Sequence, residues 1–221
     1  MHDHRNRVGE EMFESQYSTR PVLEPAMLDA ILVANLGFLG LVAKSPRDSA
    51  KPVYGLSSSM AAAVARLDPG TRRTVAGLPY TLFNLRFESP SFWRAVVRDA
   101  ARPGSGSLSA EATFARTAVF LAWHLVQGGE LAPAMVLGMT PEVIDAWRGL
   151  PLSALDHAAT RSLPWLQARW GENSRFWPKL VVAAAPGRGG IGAPRELGLQ
   201  LLAAQGLAQL TGNAAGPAAG R

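Results

Sequence analysis

The chain has no cysteine. Disulfides and thiolate-ligated metal sites are therefore excluded, which points to a reducing compartment and a cytoplasmic protein. No apolar run is long enough for a bilayer, which needs about 20 residues. The longest, residues 30–43, has 14 and contains Asn35, so it reads as a buried helix and no membrane is expected. The opening stretch MHDHRNRVGEEMFESQ is charged and has no apolar core, so no signal peptide is expected.

Catalytic constellations are scarce as well. There is no G-x-S-x-G, and Asp156-His157 with Ser153 and Ser162 nearby has no strained turn to present a nucleophile. His124 lies between Trp123 and Leu125 and reads as a hydrogen-bonded core histidine. His2 and His4 stand in a charged terminus, and no two histidines are spaced with carboxylates as a metal site demands. Gly187, Gly189 and Gly192 satisfy G-x-G-x-x-G, yet Pro186 precedes the first of them and the only later acid is Glu196. A dinucleotide loop needs a strand before it and an acid about 20 residues on, so this is a hinge. With no acid, base and nucleophile converging, the sequence points to a non-enzyme without a cofactor.

What the chain does have is an echo. NLRFESPSFW, starting at Asn84, is answered by QARWGENSRFW, starting at Gln167. Upstream, Gly55 and Gly138, Leu56 and Met139, Ser57 and Thr140, Leu67 and Leu150, and Arg86 and Arg169 are all 83 residues apart. Phe92-Trp93 and Phe176-Trp177 are 84 apart, which needs one inserted residue near Gly171. So long a period indicates two copies of a small domain, since solenoid repeats run to roughly 20–50 residues. The organisation expected is a disordered arm (1–20), a first copy (21–103), a second copy (104–183) and a Gly/Ala-rich tail with a short helix (184–221). Residues 102–109, RPGSGSLS, have linker composition.

Both copies read as helical. Ser57, Asp68 and Thr140 are N-cap candidates, the last two followed by Pro in the first turn. Met60, Ala61, Val64 and Leu67, and Val143, Ile144 and Trp147, recur at helical spacing. Residues 195–210 form an amphipathic helix weakened by Gly198 and Gly206, and residues 211–221 read as disordered. Ala134, Gly138 and Ile144 have helix-turn-helix spacing, but the second helix would carry Glu142 and Asp145, which repel phosphate. In the first copy Lys51, Gly55 and Ala61 hold those places. The tryptophans, Trp93, Trp165, Trp170 and Trp177 among them, read as core or interface filling.

The net charge of +5 is uneven. Residues 21–103 hold ten Lys/Arg against six Asp/Glu, whereas residues 104–180 hold six of each. The surplus makes Arg86, Arg94, Arg98 and Arg102 the DNA-contact candidates; the last three are spaced as one helical face, with a merely solvated face as the competing reading.

Residues 35–87 resemble the flagellar transcriptional activator FlhD family. Asn35-Leu36, Gly55-Leu56, Met60-Ala61, Leu67 and LRFES, starting at Leu85, match in order. The second copy keeps Gly138, Leu150 and Arg169 and resembles a diverged duplicate; a flagellar protein and a mobile-element relative are equally compatible. The resemblance implies an all-α transcription regulator whose two copies form an internal pseudo-dimer. It would bind duplex DNA mainly as a complex with a zinc-binding FlhC-like partner subunit. Tyr54, Met60, Trp123 and Trp147 are the interface candidates. The family's cysteine beside its Phe-Arg-Phe segment has no counterpart here. A helical interaction or assembly adaptor without a DNA role is the alternative.

Overall fold

The structure is a computed structural model and describes residues 23–45, 52–99, 109–185, 187–188 and 190–214. The expected arm at 1–20, Lys51, Arg102 and most of the linker lie outside them. The described residues are all-α in class, with ten α-helices and one two-stranded ribbon.

α1 (Pro25–Lys44) starts with Pro in its first turn and buries Ile31, Ala34, Phe38, Leu39, Leu41 and Val42. Its apolar length would suffice to cross a membrane, but Asn35 gives it a fixed place in the core. The Asn35 amide donates to Ala76 O (3.0 Å) and Tyr80 O (2.9 Å), and its carbonyl accepts from Leu82 N at 2.8 Å. One buried side chain thus satisfies three backbone groups of the segment beside α1.

A tight turn bridged between Val53 and Leu56 leads into α2 (Ser58–Ala65). α3 (Pro69–Ala76), strand β1 (Phe83–Asn84) and α4 (Pro90–Arg98) follow. Beyond the linker come α5 (Ala110–Gln127), α6 (Leu131–Leu137) and α7 (Pro141–Arg148). A 3-10 turn, α8 (Leu155–Ser162), a second 3-10 turn (Leu163–Trp165), β2 (Gln167–Ala168) and α9 (Phe176–Ala184) complete the body. The three expected caps are present. Ser57 Oγ accepts from Met60 N, Asp68 Oδ1 from Thr71 N, and Thr140 Oγ1 from Val143 N.

The chain crosses itself in a reciprocal way. β1 pairs antiparallel with β2, Phe83 opposite Ala168 and Asn84 opposite Gln167. α4 packs on α7 and α8, whereas α9 packs back on α2 and α3. α1 and α5 lie against each other, with Phe38 and Phe83 both meeting Phe114. The buried side chains of residues 25–98 and of residues 110–184 belong to one shared hydrophobic core.

One expectation about the tail changes. The helix after the hinge, α10 (Gly192–Ala214), runs past the boundary at which disorder was expected. Gly198 is also a docking point, because a Cβ there would overlap the Tyr80 hydroxyl. That hydroxyl is buried and donates towards Pro194 O (3.2 Å) and Arg195 O (3.4 Å), and burial raises its pKa well above the ordinary phenol value. Of the Gly-rich match, Gly187 follows the helix α9 and Gly192 begins the helix α10, while Gly189 lies outside the described residues.

Candidate nucleic-acid interface

α4 carries two of the arginine candidates. Trp93 and Val96 are buried, which leaves Arg94 and Arg98 exposed one turn apart on the outer face. Neither has an ion pair among the described residues. α4 ends at Arg98, with Asp99 as its C-cap.

Arg86 is held differently. It sits in the left-handed region at φ 61°, and its carbonyl accepts from Ser89 N and from Trp93 Nε1, both at 2.9 Å. Its half-buried side chain lies over the Trp165 ring at 3.8 Å and 5.7 Å from the Phe92 ring centre. Arg86 therefore does not share the open face of Arg94 and Arg98.

Arg169, its counterpart by spacing, is buried. The two share a backbone device, since Trp177 Nε1 donates to Arg169 O at 2.8 Å and the next residue, Trp170, is left-handed at φ 53°. The Arg169 guanidinium, however, points inward and donates to Val136 O (2.8 Å) and Thr81 Oγ1 (3.4 Å). Burial pulls its pKa down to about 10, opposed by the Glu88 charge and Tyr80. Among the described residues no carboxylate pairs with it directly, so only its hydrogen bonds offset the desolvation. Val136 O also accepts from Thr81 N (3.0 Å) and Thr81 Oγ1 (3.2 Å), so it stays satisfied without the arginine. Arg169→Met should therefore keep or raise the urea midpoint, whereas Arg169→Ala should cost roughly 2–4 kcal/mol for the space it opens. A Met variant as damaged as the Ala variant would show that the charge itself holds the core.

The helix-turn-helix spacing of residues 134–144 forms a true helix pair. Gly138 turns it at φ 68°, a left-handed position that disfavours side chains, and Ile144 packs inside. The second helix, α7, buries Val143, Ile144 and Trp147, and Arg148 on its exposed side is already engaged. It donates to Asp145 Oδ1 and Glu130 Oε1, both at 2.8 Å. The first-copy counterpart is not a helix pair, because Gly55 belongs to the bridged turn between Val53 and Leu56.

Of the interface candidates, Trp147 crosses between α7 and α4, its ring 4.6 Å from Trp93 and 6.2 Å from Phe87. Tyr54 crosses by donating to Glu111 Oε1 at 3.4 Å. Trp123 donates to Leu150 O at 3.0 Å and so ties α5 to the turn after α7. Met60 is half-buried against the core on α2. His124 is a correction: it lies on the exposed side of α5, because Leu125 and Val126 take the inward positions. His157 is the buried histidine, and its Nε2 has no partner among the described residues. Asp156 beside it pairs with Arg116 at 3.2 Å, and Ser162 Oγ donates to Ala159 O at 3.3 Å. Among the described residues no three His, Asp or Glu side chains gather as a metal site would need.

Sequence reasoning did not single out Trp165 as different from the other tryptophans. Trp93 and Trp177 are buried, but Trp165 is 45% exposed under Arg86. No signal along the chain could have found this, since the pair is joined only by the crossing of α4 over the C-terminal half. Comparison with protein families, curated proteins and solved structures finds no match for this chain.

Proposed function

We propose that the chain is the regulatory subunit of a transcription activator, built from two FlhD-like copies joined as an internal pseudo-dimer. It works in the cytoplasm with a zinc-binding FlhC-like partner on promoter DNA. The observation that carries this reading is the reciprocal packing of α4 on α7 and α8 and of α9 on α2 and α3. That exchange is what an intertwined homodimer would need if its two chains were fused. The paired indole-to-carbonyl bonds, Trp93 to Arg86 and Trp177 to Arg169, support the same view because they recur at the spacing of the echo. Asn35 supports it too: the polar residue of the resembling helix is the one that anchors the neighbouring backbone.

DNA contact falls to Arg94 and Arg98, the exposed cations of α4, which have no ion pair among the described residues. α7, with Arg148 held by two acids, offers little to phosphate. The chain alone should bind duplex DNA weakly, and the partner should raise affinity and sequence preference. Replacing Arg94 and Arg98 by Ala should weaken binding across all sequences. It should also reduce the slope of log affinity against log salt by about 1–2, as expected for one or two lost phosphate contacts. Fluorescence anisotropy over a salt series reads both quantities. Tight, sequence-specific binding by the isolated double variant would remove α4 from the DNA surface. The acid-bound Arg148 favours the second reading, a helical adaptor without DNA. That reading prevails if no duplex is bound with or without the partner.

A further inference from the structure

Arg86, Phe92 and Trp165 form a cluster that the regulator reading does not use. The Arg86 guanidinium carbon lies over the Trp165 ring, 3.8 Å from its centre, and Phe92 meets the Trp165 ring edge-on with centres 6.4 Å apart. The three side chains come from the turn before α4, from α4 itself and from the 3-10 turn before β2. Two hydrogen bonds to its carbonyl, from Ser89 N and from the Trp93 indole, hold Arg86 in a left-handed conformation that costs a non-glycine residue about 1 kcal/mol or more. No carboxylate and no hydrogen-bond acceptor reaches the guanidinium among the described residues. A charged, planar donor group is thus held over an indole with its donors unused among the described residues. Pairing with a carboxylate would use them in the geometry arginine favours.

We propose that this cluster is a docking point for a partner protein, taking a carboxylate side chain flanked by apolar residues. The carboxylate would pair with Arg86, and the apolar neighbours would cover the exposed part of Trp165. Arg and Trp in contact are the residue types that dominate protein–protein hot spots. A phosphate track would instead use open cations such as Arg94 and Arg98, without an indole beside them. The site goes beyond the regulator reading and does not depend on it, because an adaptor would need such a surface equally.

The test follows the indole N–H resonance of Trp165 in the full chain by NMR, assigned through its loss in Trp165→Phe. The probes are the peptide acetyl-Leu-Glu-Leu-Glu-amide, its Gln analogue, inorganic phosphate and a short DNA duplex. The acidic peptide should shift the resonance saturably, and the Gln analogue should bind at least about tenfold more weakly. Arg86→Gly should abolish the shift and still fold, because glycine suits the left-handed backbone. Arg86→Lys keeps the charge without the planar fork and should weaken binding, while Arg94→Ala with Arg98→Ala should leave it unchanged. The proposal is overturned if Arg86→Gly leaves the peptide effect intact, or if the peptide gives no saturable shift. It is also overturned if phosphate or duplex moves the resonance at lower concentration than the peptide does. Loss of DNA binding in the arginine double variant, with peptide binding intact, would bear on the regulator reading alone.

Discussion

Residues 1–104 and 105–221, produced as separate chains, should each be largely unfolded and should recover helix content only when mixed. The reason lies in which side chains each piece would leave uncovered. Without the C-terminal piece, Trp93 and Val96 of α4 lose α7, and without the N-terminal piece Phe176, Trp177 and Leu180 of α9 lose α2 and α3. Each large apolar side chain contributes about 1.5–3 kcal/mol when buried. Losing several at once removes an amount comparable to the whole stability of a typical domain, about 5–15 kcal/mol. Circular dichroism of each piece and of the mixture reads the outcome, and sedimentation of the mixture should give one heterodimer. Two separately folded monomers that ignore each other would defeat the intertwined reading and leave two beads on a linker.

The local parts of this arrangement were legible in the sequence, and the crossing was not. Ser57, Asp68 and Thr140 announce helix starts because a capping side chain acts within three residues of itself. The echo between the segments at 84 and 167 marks the places where β1 and β2 pair, where a left-handed turn follows, and where an indole returns to the turn's carbonyl. The strands themselves could not be read, since two residues have no periodicity and their pairing is made by distant parts of the chain. Arg86 and Arg169 show the same limit. Equal spacing gave them equal weight, yet one is stacked on an exposed indole and the other is buried against Val136 O. The sequence of each site is nearly symmetric, but what packs against it is not. The docking role of Gly198 was hidden for a related reason: it depends on Tyr80, which is remote in sequence. His124 misled because an apolar neighbourhood along a helix does not say which way one residue faces.

Trp93→Ala should be among the most damaging single substitutions in the chain, costing about 3–5 kcal/mol. Trp93 is fully buried where α4 crosses α7, its ring stacked near-parallel to Phe87 (8°, centres 6.0 Å apart) and 4.6 Å from Trp147. Truncation opens a large cavity and removes the indole bond to Arg86 O, the bond that helps hold the left-handed turn. Trp147 is as deeply buried, but its Nε1 has no hydrogen-bond partner among the described residues. Trp147→Phe should therefore be mild, within about 1–2 kcal/mol, whereas Trp93→Phe should cost more because it leaves a carbonyl short of one partner. Because the two indoles fill one space, Trp93→Ala and Trp147→Ala should combine less than additively, with a coupling of about 1 kcal/mol or more. Urea titrations followed by circular dichroism avoid the loss of the fluorescent reporter and give all four corners of the cycle. Strict additivity would mean that α4 and α7 are not packed through these rings, and the exchange of helices would lose its main contact.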